Sequence, residues 1–214
     1  VLSFLTVVCL LSAINLVANQ RMVPPPAVSQ ELFAPYWTAE PGWHTELQLR
    51  NGRRSMQVVV TPILRLSSGQ TYSLTPVSIN PSDVVSIDVR QELEKIAPQI
   101  LDQPGTFGSV IVRFIAPNYG NINAAVMVHE MGQPIGYHID AFAEDPDYTA
   151  GSREGIWWLP RAETKDNLII SNASNKANQG TLYLYDATGK AWNQSWRDIA
   201  HDAGANTIQR SIQH

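Results

Sequence analysis

The side chains best suited to chemistry lie in HEMGQPIGYHID, residues 129–140. A His–Glu pair, His129 and Glu130, precedes a His–Asp pair, His138 and Asp140, and these residue types are common Zn²⁺ ligands. A zinc protease would place H-E-x-x-H on one helix, but glycines and a proline between the pairs prevent a helix here. The two pairs could face each other across a hairpin, or they could be surface histidines, which is the interpretation that the sequence favours.

The other histidines have no nucleophile motif beside them. His44 with Glu46 and His201 with Asp202 are isolated pairs, and no serine lies in a G-x-S-x-G elbow. Carboxylate pairs for glycoside hydrolysis come together only in a fold, but the acidic residues cluster in predicted linkers and turns. We therefore expect no catalytic residue, no bound metal and no cofactor.

Charge and cysteine content narrow the classes of partner. Only 16% of the 214 residues are charged and the net charge is −4, so the chain has no basic surface for nucleic acid. The single cysteine, Cys9, lies in the apolar opening stretch, and disulfides and thiolate metal sites are therefore excluded.

Most of the chain carries strand signals. Short runs rich in Val, Ile and Leu, many of them alternating, are separated by turn-forming residues. One segment, residues 91–101, predicts a helix that Pro98 limits to a turn or two. Regular short strands of this kind are typical of a β-sandwich. The predicted strands are TELQLRN (45–51), QVVVTPILRL (57–66), VVSIDV (84–89), GSVIVRF (108–114), NAAVMVHE (123–130) and IGYHIDAF (135–142).

Two parts of the sequence share a pattern, which indicates a duplication. Segments 57–72 and 180–192 correspond, with an offset of 120 residues, and each runs into a turn at a glycine. The residues that recur 121 positions later are Trp37, Leu47, Leu49 and Asn51, which match Trp158, Leu168, Ile170 and Asn172.

We therefore predict an all-β protein with two tandem Ig-like β-sandwich domains behind an extended apolar N-terminal arm. An acidic stretch with Pro and Gly predicts the linker. The predicted parts are the arm (1–21), a Pro-rich spacer (22–29), domain 1 (30–143), the linker (144–154) and domain 2 (155–214).

The second domain is shorter than the first. After Asn51 the first copy continues for 91 residues to Phe142, whereas 42 residues follow Asn172. A sandwich short of its last strands leaves an apolar groove and a sheet edge with unpaired backbone groups. The residues expected to line this acceptor groove are Leu168, Ile170, Leu182, Leu184, Ile199 and Ile208.

The opening stretch, VLSFLTVVCLLSAINLVANQ, has no charged side chain before Arg21 and admits three interpretations. A secretory signal peptide would carry a charged n-region and a small-residue cleavage site, and neither is evident. A transmembrane or pilin-type helix needs about 20 apolar residues, and polar residues interrupt this stretch. The third interpretation is a strand donated to a neighbouring copy.

The donor-strand interpretation accounts for most of the pattern. Twenty extended residues would span about 66 Å at ~3.3 Å each, and both alternating faces are mostly apolar. The PPP spacer at residues 24–26 would hold the strand away from its own domain. The side chains expected to enter the neighbour are Leu2, Phe4, Val8, Leu10, Ile14 and Leu16.

The segments HTELQLRNGRRSMQVVVTPILRLSSGQTYSL and GIWWLPRAETKDNLIISNASN resemble a family of uncharacterised bacterial secreted proteins with paired Ig-like domains. The predicted assembly also resembles extracellular fibrils whose two-domain protomers insert an N-terminal strand into a neighbour. The resemblance covers about residues 37–192 and its motifs are structural. It implies the fold and an extracellular location at the bacterial cell surface.

Two further features concern partners. Six tryptophans could form a carbohydrate platform, but Trp37 and Trp158 share one repeat position, which favours packing at the sandwich edge. Asn172 and Asn193 lie in N-x-[ST] triplets and could carry glycans outside a cell.

The sequence predicts a structural subunit of an extracellular filament, a helical homopolymer whose partner is itself, without membrane contact in the mature form. The alternative is a secreted or anchored binding module, for carbohydrate among other ligands, with residues 1–20 as a signal peptide or anchor.

Overall fold

A computed structural model of the chain describes residues 26–101, 103, 105–117, 119–133, 136–143, 165–172, 178–183, 185, 188–190, 196–201 and 207–213. Within these ranges the protein is all-β, with fourteen strands and one short α-helix. The all-β prediction is therefore confirmed. The N-terminal arm, half of the spacer and the linker lie outside the described residues.

Ten strands and the helix form a first unit, residues 28–143. The six longer strands predicted from alternation all fall on observed strands. The elements are β1 (Val28–Thr38), β2 (Trp43–Asn51), β3 (Val58–Leu66), β4 (Thr71–Ser73), β5 (Val77–Ile79), β6 (Val84–Asp88), α1 (Val89–Ile96), β7 (Phe107–Ala116), β8 (Ile122–Glu130), β9 (Gly136–Asp140) and β10 (Phe142–Ala143).

Two antiparallel sheets build the first unit. Sheet A has the strand order β10–β1–β7–β3–β4, with β5 also paired to β3, and sheet B has the order β6–β2–β8–β9. The inward residues of both sheets form one buried core, because successive side chains of a strand point to opposite faces. Trp37 is fully buried in that core and its indole Nε1 donates to the carbonyl oxygen of Ser109 at 2.9 Å.

Sheet A is covered on both faces. In β7, Val110 and Val112 lie in the main core, whereas Ile111 between them faces the opposite side. There it forms a second buried cluster with Phe33 of β1 and Ile63 of β3.

Strand β1 is the long element that the sequence did not predict. Its segment, VSQELFAPYWT, contains Pro35 and several polar residues. The register with β7 shifts between Ala34 and Trp37, and such a bulge accommodates a proline that cannot donate to the ladder. The strand begins at Val28, so two residues of the predicted spacer belong to it.

The helix follows its prediction closely. Asp88 caps it by accepting the backbone N–H of Gln91 at 3.0 Å. Val89 and Leu93 are buried against the core, and the helix ends at Ile96, two residues before Pro98. A 3₁₀ turn from Pro98 to Ile100 completes the predicted segment.

Four strands form a second unit, residues 165–213. They pair antiparallel in twos, β11 (Lys165–Ser171) with β14 (Thr207–Gln213), and β12 (Asn178–Leu182) with β13 (Trp196–His201). Strand β11 lies against β1, and β14 lies against β7. The Ser171 hydroxyl donates to the Pro35 carbonyl oxygen at 2.6 Å, and Ile169 packs against the main core.

A candidate strand-acceptor site in the second unit

The strand pairs of the second unit repeat those of the first. In the first unit β2 pairs with β6, and Arg50 lies opposite Val84, the first residue of β6. In the second unit β11 pairs with β14, and Ser171, 121 positions after Arg50, lies opposite Thr207, the first residue of β14. Both strand pairs therefore have the same register.

The second pair of strands shows the same correspondence. Val58, the first residue of β3, pairs with Ile79, the last residue of β5. Asn178 follows Val58 by 120 positions, begins β12 and pairs with His201, the last residue of β13. This recurrence supports the predicted duplication, since neither pairing follows from the sequence match itself.

A buried asparagine marks the same place in both units. Asn51 is fully buried; its Nδ2 donates to the carbonyl oxygens of Met56 at 2.8 Å and Ile79 at 3.0 Å. Its Oδ1 accepts the N–H of Arg53 at 2.9 Å. Asn172, the equivalent residue after β11, is also buried, with 5% of its surface exposed. A glycan on Asn172 would need an accessible amide, which this position does not offer, and Asn193 lies outside the described residues.

The two units differ in the number of neighbours that each strand has. In the first unit β2 also pairs with β8, and β3 also pairs with β7. Among the residues that the structure describes, β11 and β12 have one strand partner each. The second edges of β11 and β12 therefore present backbone N–H and C=O groups that another strand could pair with.

Five of the six predicted groove residues lie on strands β11 to β14. Ile170 of β11 lies directly opposite Ile208 of β14, and both Leu168 and Ile170 are half-buried. On the other pair, Ile199 lies opposite Gly180 and Leu182 opposite Trp196. Leu184 and the six donor residues Leu2, Phe4, Val8, Leu10, Ile14 and Leu16 lie outside the described residues.

The histidines of residues 129–140 do not form one cluster. His129 and Glu130 are consecutive in β8, so their side chains point to opposite faces. His138 lies opposite Met127, and its Nε2 is 2.8 Å from Asp140 Oδ1 at the surface. No group of three or more His, Cys, Asp or Glu residues in the described part of the chain has the arrangement of a metal site.

His129 instead faces His44, a contact that the sequence analysis missed. The two residues are register partners on β2 and β8, and their ring centroids are 4.7 Å apart. Glu46 and Asp88 flank His44 at 3.5 and 3.8 Å. The two histidines are 85 positions apart in the sequence. Their contact follows from the pairing of β2 with β8, and the sequence alone does not show that pairing.

The pKa shifts of three described side chains have structural causes. Burial raises the pKa of Tyr36 to about 12, and the nearby Glu40 adds to the effect. Burial likewise lowers the pKa of Arg65, which lies on the outer face of sheet A. A hydrogen bond from Lys95 lowers the pKa of Glu92 on the helix surface. These side chains lie apart, on the core, a sheet face and the helix.

The described tryptophans have different environments. Trp37 is buried in the core, as its repeat position predicts. Trp43 is half-buried and stacks on Tyr137 at a centroid distance of 6.3 Å. Trp196 lies in β13 opposite Leu182, and the other three tryptophans lie outside the described residues.

Comparison with known proteins identifies no family for this chain. No family model matches the chain, and no curated protein matches it. A solved structure entitled "Crystal Structure of Thermotoga maritima 1070" is similar to 54% of this chain and to 92% of its own length, with 10% identity and a TM-score of 0.39. In the described residues no helix is long and apolar enough to cross a membrane.

Proposed function

We propose that the protein is a structural subunit of an extracellular bacterial filament. In this proposal both units are Ig-like, and each copy inserts its N-terminal arm, residues 1–21, into the second unit of a neighbour. The observation that carries the proposal is the pairing of β11 and β12. Each has the partner that its equivalent has in the first unit, and among the described residues neither has the further strand partner that its equivalent has.

The composition of residues 1–20 suits a strand buried in a sandwich. The stretch has no charged side chain, and both of its alternating faces are mostly apolar. Burial of apolar surface contributes ~25 cal/mol per Å², and the added strand also satisfies backbone groups at the open edge. Both effects favour insertion over exposure of arm and edge to water.

The spacer favours exchange between copies. Pro24, Pro25 and Pro26 are consecutive, and such a run is extended and stiff. The arm would therefore be held away from the unit that follows it and within reach of a neighbour. Arm and acceptor are different surfaces, and head-to-tail contacts between different surfaces build filaments unless the rotation closes a ring.

The first test is assembly of the full chain and of arm variants, followed by electron microscopy and sedimentation. Charges at Phe4 and Leu10 (F4D with L10D) should abolish fibres, because carboxylates would enter an apolar site. The matched control, N19D with Q20D, places the same charges at the polar end of the arm, beyond the side chains expected to enter the neighbour, and it should impair assembly much less.

Two results would contradict the proposal. Normal fibres from F4D/L10D, or from a chain that lacks residues 1–20, would show that the arm has no part in assembly. Dispersed monomers that lack residues 1–20 in the natural protein would favour the secreted binding module, for which the stacked pair of Trp43 and exposed Tyr137 is the first surface to test against carbohydrate.

A further inference from the structure

Among the described residues, strand β12 has no partner at the position that β7 fills in the first unit. There β3 lies between two neighbours: its Val58 pairs with Ile79 of β5 and its Pro62 pairs with Val112 of β7. In the second unit β13 takes the position of β5 beside β12. The edge on the other side of β12 is therefore equivalent to the edge of β3 that pairs with β7.

Tyr183, which follows β12, is far more exposed than the equivalent residue of the first unit. Its equivalent, 120 positions earlier, is Ile63, which is 8% exposed and lies directly opposite Ile111 of β7. Tyr183 is 55% exposed, and its ring stacks on that of Tyr185, equally exposed, at 6.5 Å. Two adjacent exposed aromatic rings therefore lie at the end of β12, at positions equivalent to Ile63 and Arg65 at the end of β3.

The composition of the arm suits the burial pattern of β7 better than that of β8. Five consecutive residues of β7, Gly108–Val112, are buried, which requires apolar or small side chains on both faces. Strand β8 exposes Asn123 and Glu130 and half-exposes His129. Since residues 1–20 are mostly apolar on both alternating faces, they suit the position of β7 better than that of β8.

The end of β11 is already engaged within its own chain. Ser171 donates to Pro35 in β1, and Ile169 packs against the core of the first unit. An incoming strand at β11 would have to share this region with β1. The edge of β12 has no contact of this kind among the described residues.

We propose that the arm of a neighbouring copy takes the position of β7 in the second unit. It pairs antiparallel with β12, as β7 pairs with β3, and one of its apolar faces packs on the rings of Tyr183 and Tyr185. This inference rests on the proposed strand exchange and assigns it to one edge.

Cys9, the single cysteine, allows a direct test in the full chain. New cysteines are placed one at a time on β12, at Gln179 or Thr181, and on β11, at Lys165 or Asn167. A short bismaleimide, which tolerates a register uncertainty of a residue or two, is added to assembled protein, and denaturing gels separate linked copies from single chains. C9S in each background measures linkage that does not involve the arm.

The expected result is covalent dimers and longer ladders from Q179C and T181C, at several times the yield from K165C and N167C, and none in the C9S backgrounds. Equal or greater yield from the β11 cysteines would overturn the assignment to β12 and leave strand exchange in place. A cross-link between Cys9 and a β12 cysteine of the same chain would refute strand exchange between copies, but it would still place the arm at the edge of β12. Normal fibres without any Cys9 linkage would refute both.

Discussion

At the scale of single residues, Asn51, the asparagine that ends β2, has the clearest structural role. Asn51 uses both Nδ2 hydrogens and its Oδ1 to hold the turn after β2 against β5, with no exposure to solvent. Asparagine suits this position because one short side chain supplies donors and an acceptor together. The sequence shows the recurrence of Asn51 as Asn172, but it does not show what either amide contacts.

Asn51→Ala should lower the free energy of unfolding by about 2–4 kcal/mol, since it leaves the buried carbonyl of Ile79 and the partly buried Met56 carbonyl and Arg53 N–H without their partner. Urea unfolding followed by fluorescence measures the loss. Asn123→Ala, at an exposed position of β8, is the control and should change stability by less than about 0.5 kcal/mol. A similar small loss for Asn51→Ala would show that water replaces the amide.

At the scale of elements, the sequence predicts the strands that alternate and misses those that do not. Strands β2, β3, β6, β7, β8 and β9 follow runs of apolar residues, and Pro98 correctly limits the helix. The sequence does not predict strand β1 because Pro35 argues against a strand. The bulge that accommodates this proline becomes evident only in the pairing of β1 with β7. The contact of His44 with His129 is hidden for the same reason, since strand pairing is long-range.

The start of α1 depends on one side chain. Asp88→Ala removes the carboxylate that accepts the Gln91 N–H, and it should cost about 1 kcal/mol. Asp88→Asn keeps an accepting oxygen and should retain most of the stability. Thermal unfolding of both variants separates the cap from other effects of Asp88, including its proximity to His44. Equal losses for Ala and Asn would indicate that the charge, rather than the cap, stabilises the fold.

At the scale of the whole molecule, the two units are not independent. Phe33, Ile63 and Ile111 lie on the face of sheet A that points away from the main core, and they are buried. Strands β11 and β14 lie against β1 and β7, the strands that carry Phe33 and Ile111. The Ser171 hydroxyl also donates to Pro35 of β1 and Ile169 packs against the main core, so the second unit is held at a fixed place on the first. The predicted groove residues on β11 are half-buried there, and the sequence could not give this arrangement because it depends on how the units pack.

A chain of residues 26–143 tests this dependence. It retains sheets A and B with the core between them and should fold, but it should expose Phe33, Ile63 and Ile111, since β11 and β14 are absent. A large exposed apolar patch favours self-association, so the shortened chain should bind a hydrophobic dye more strongly than the full chain and should dimerise. The same shortened chain with F33T, I63T and I111T keeps β-favouring residues at these positions and should lose both properties. If the shortened chain stays monomeric and binds no more dye than the full protein, the cluster is covered from within the first unit.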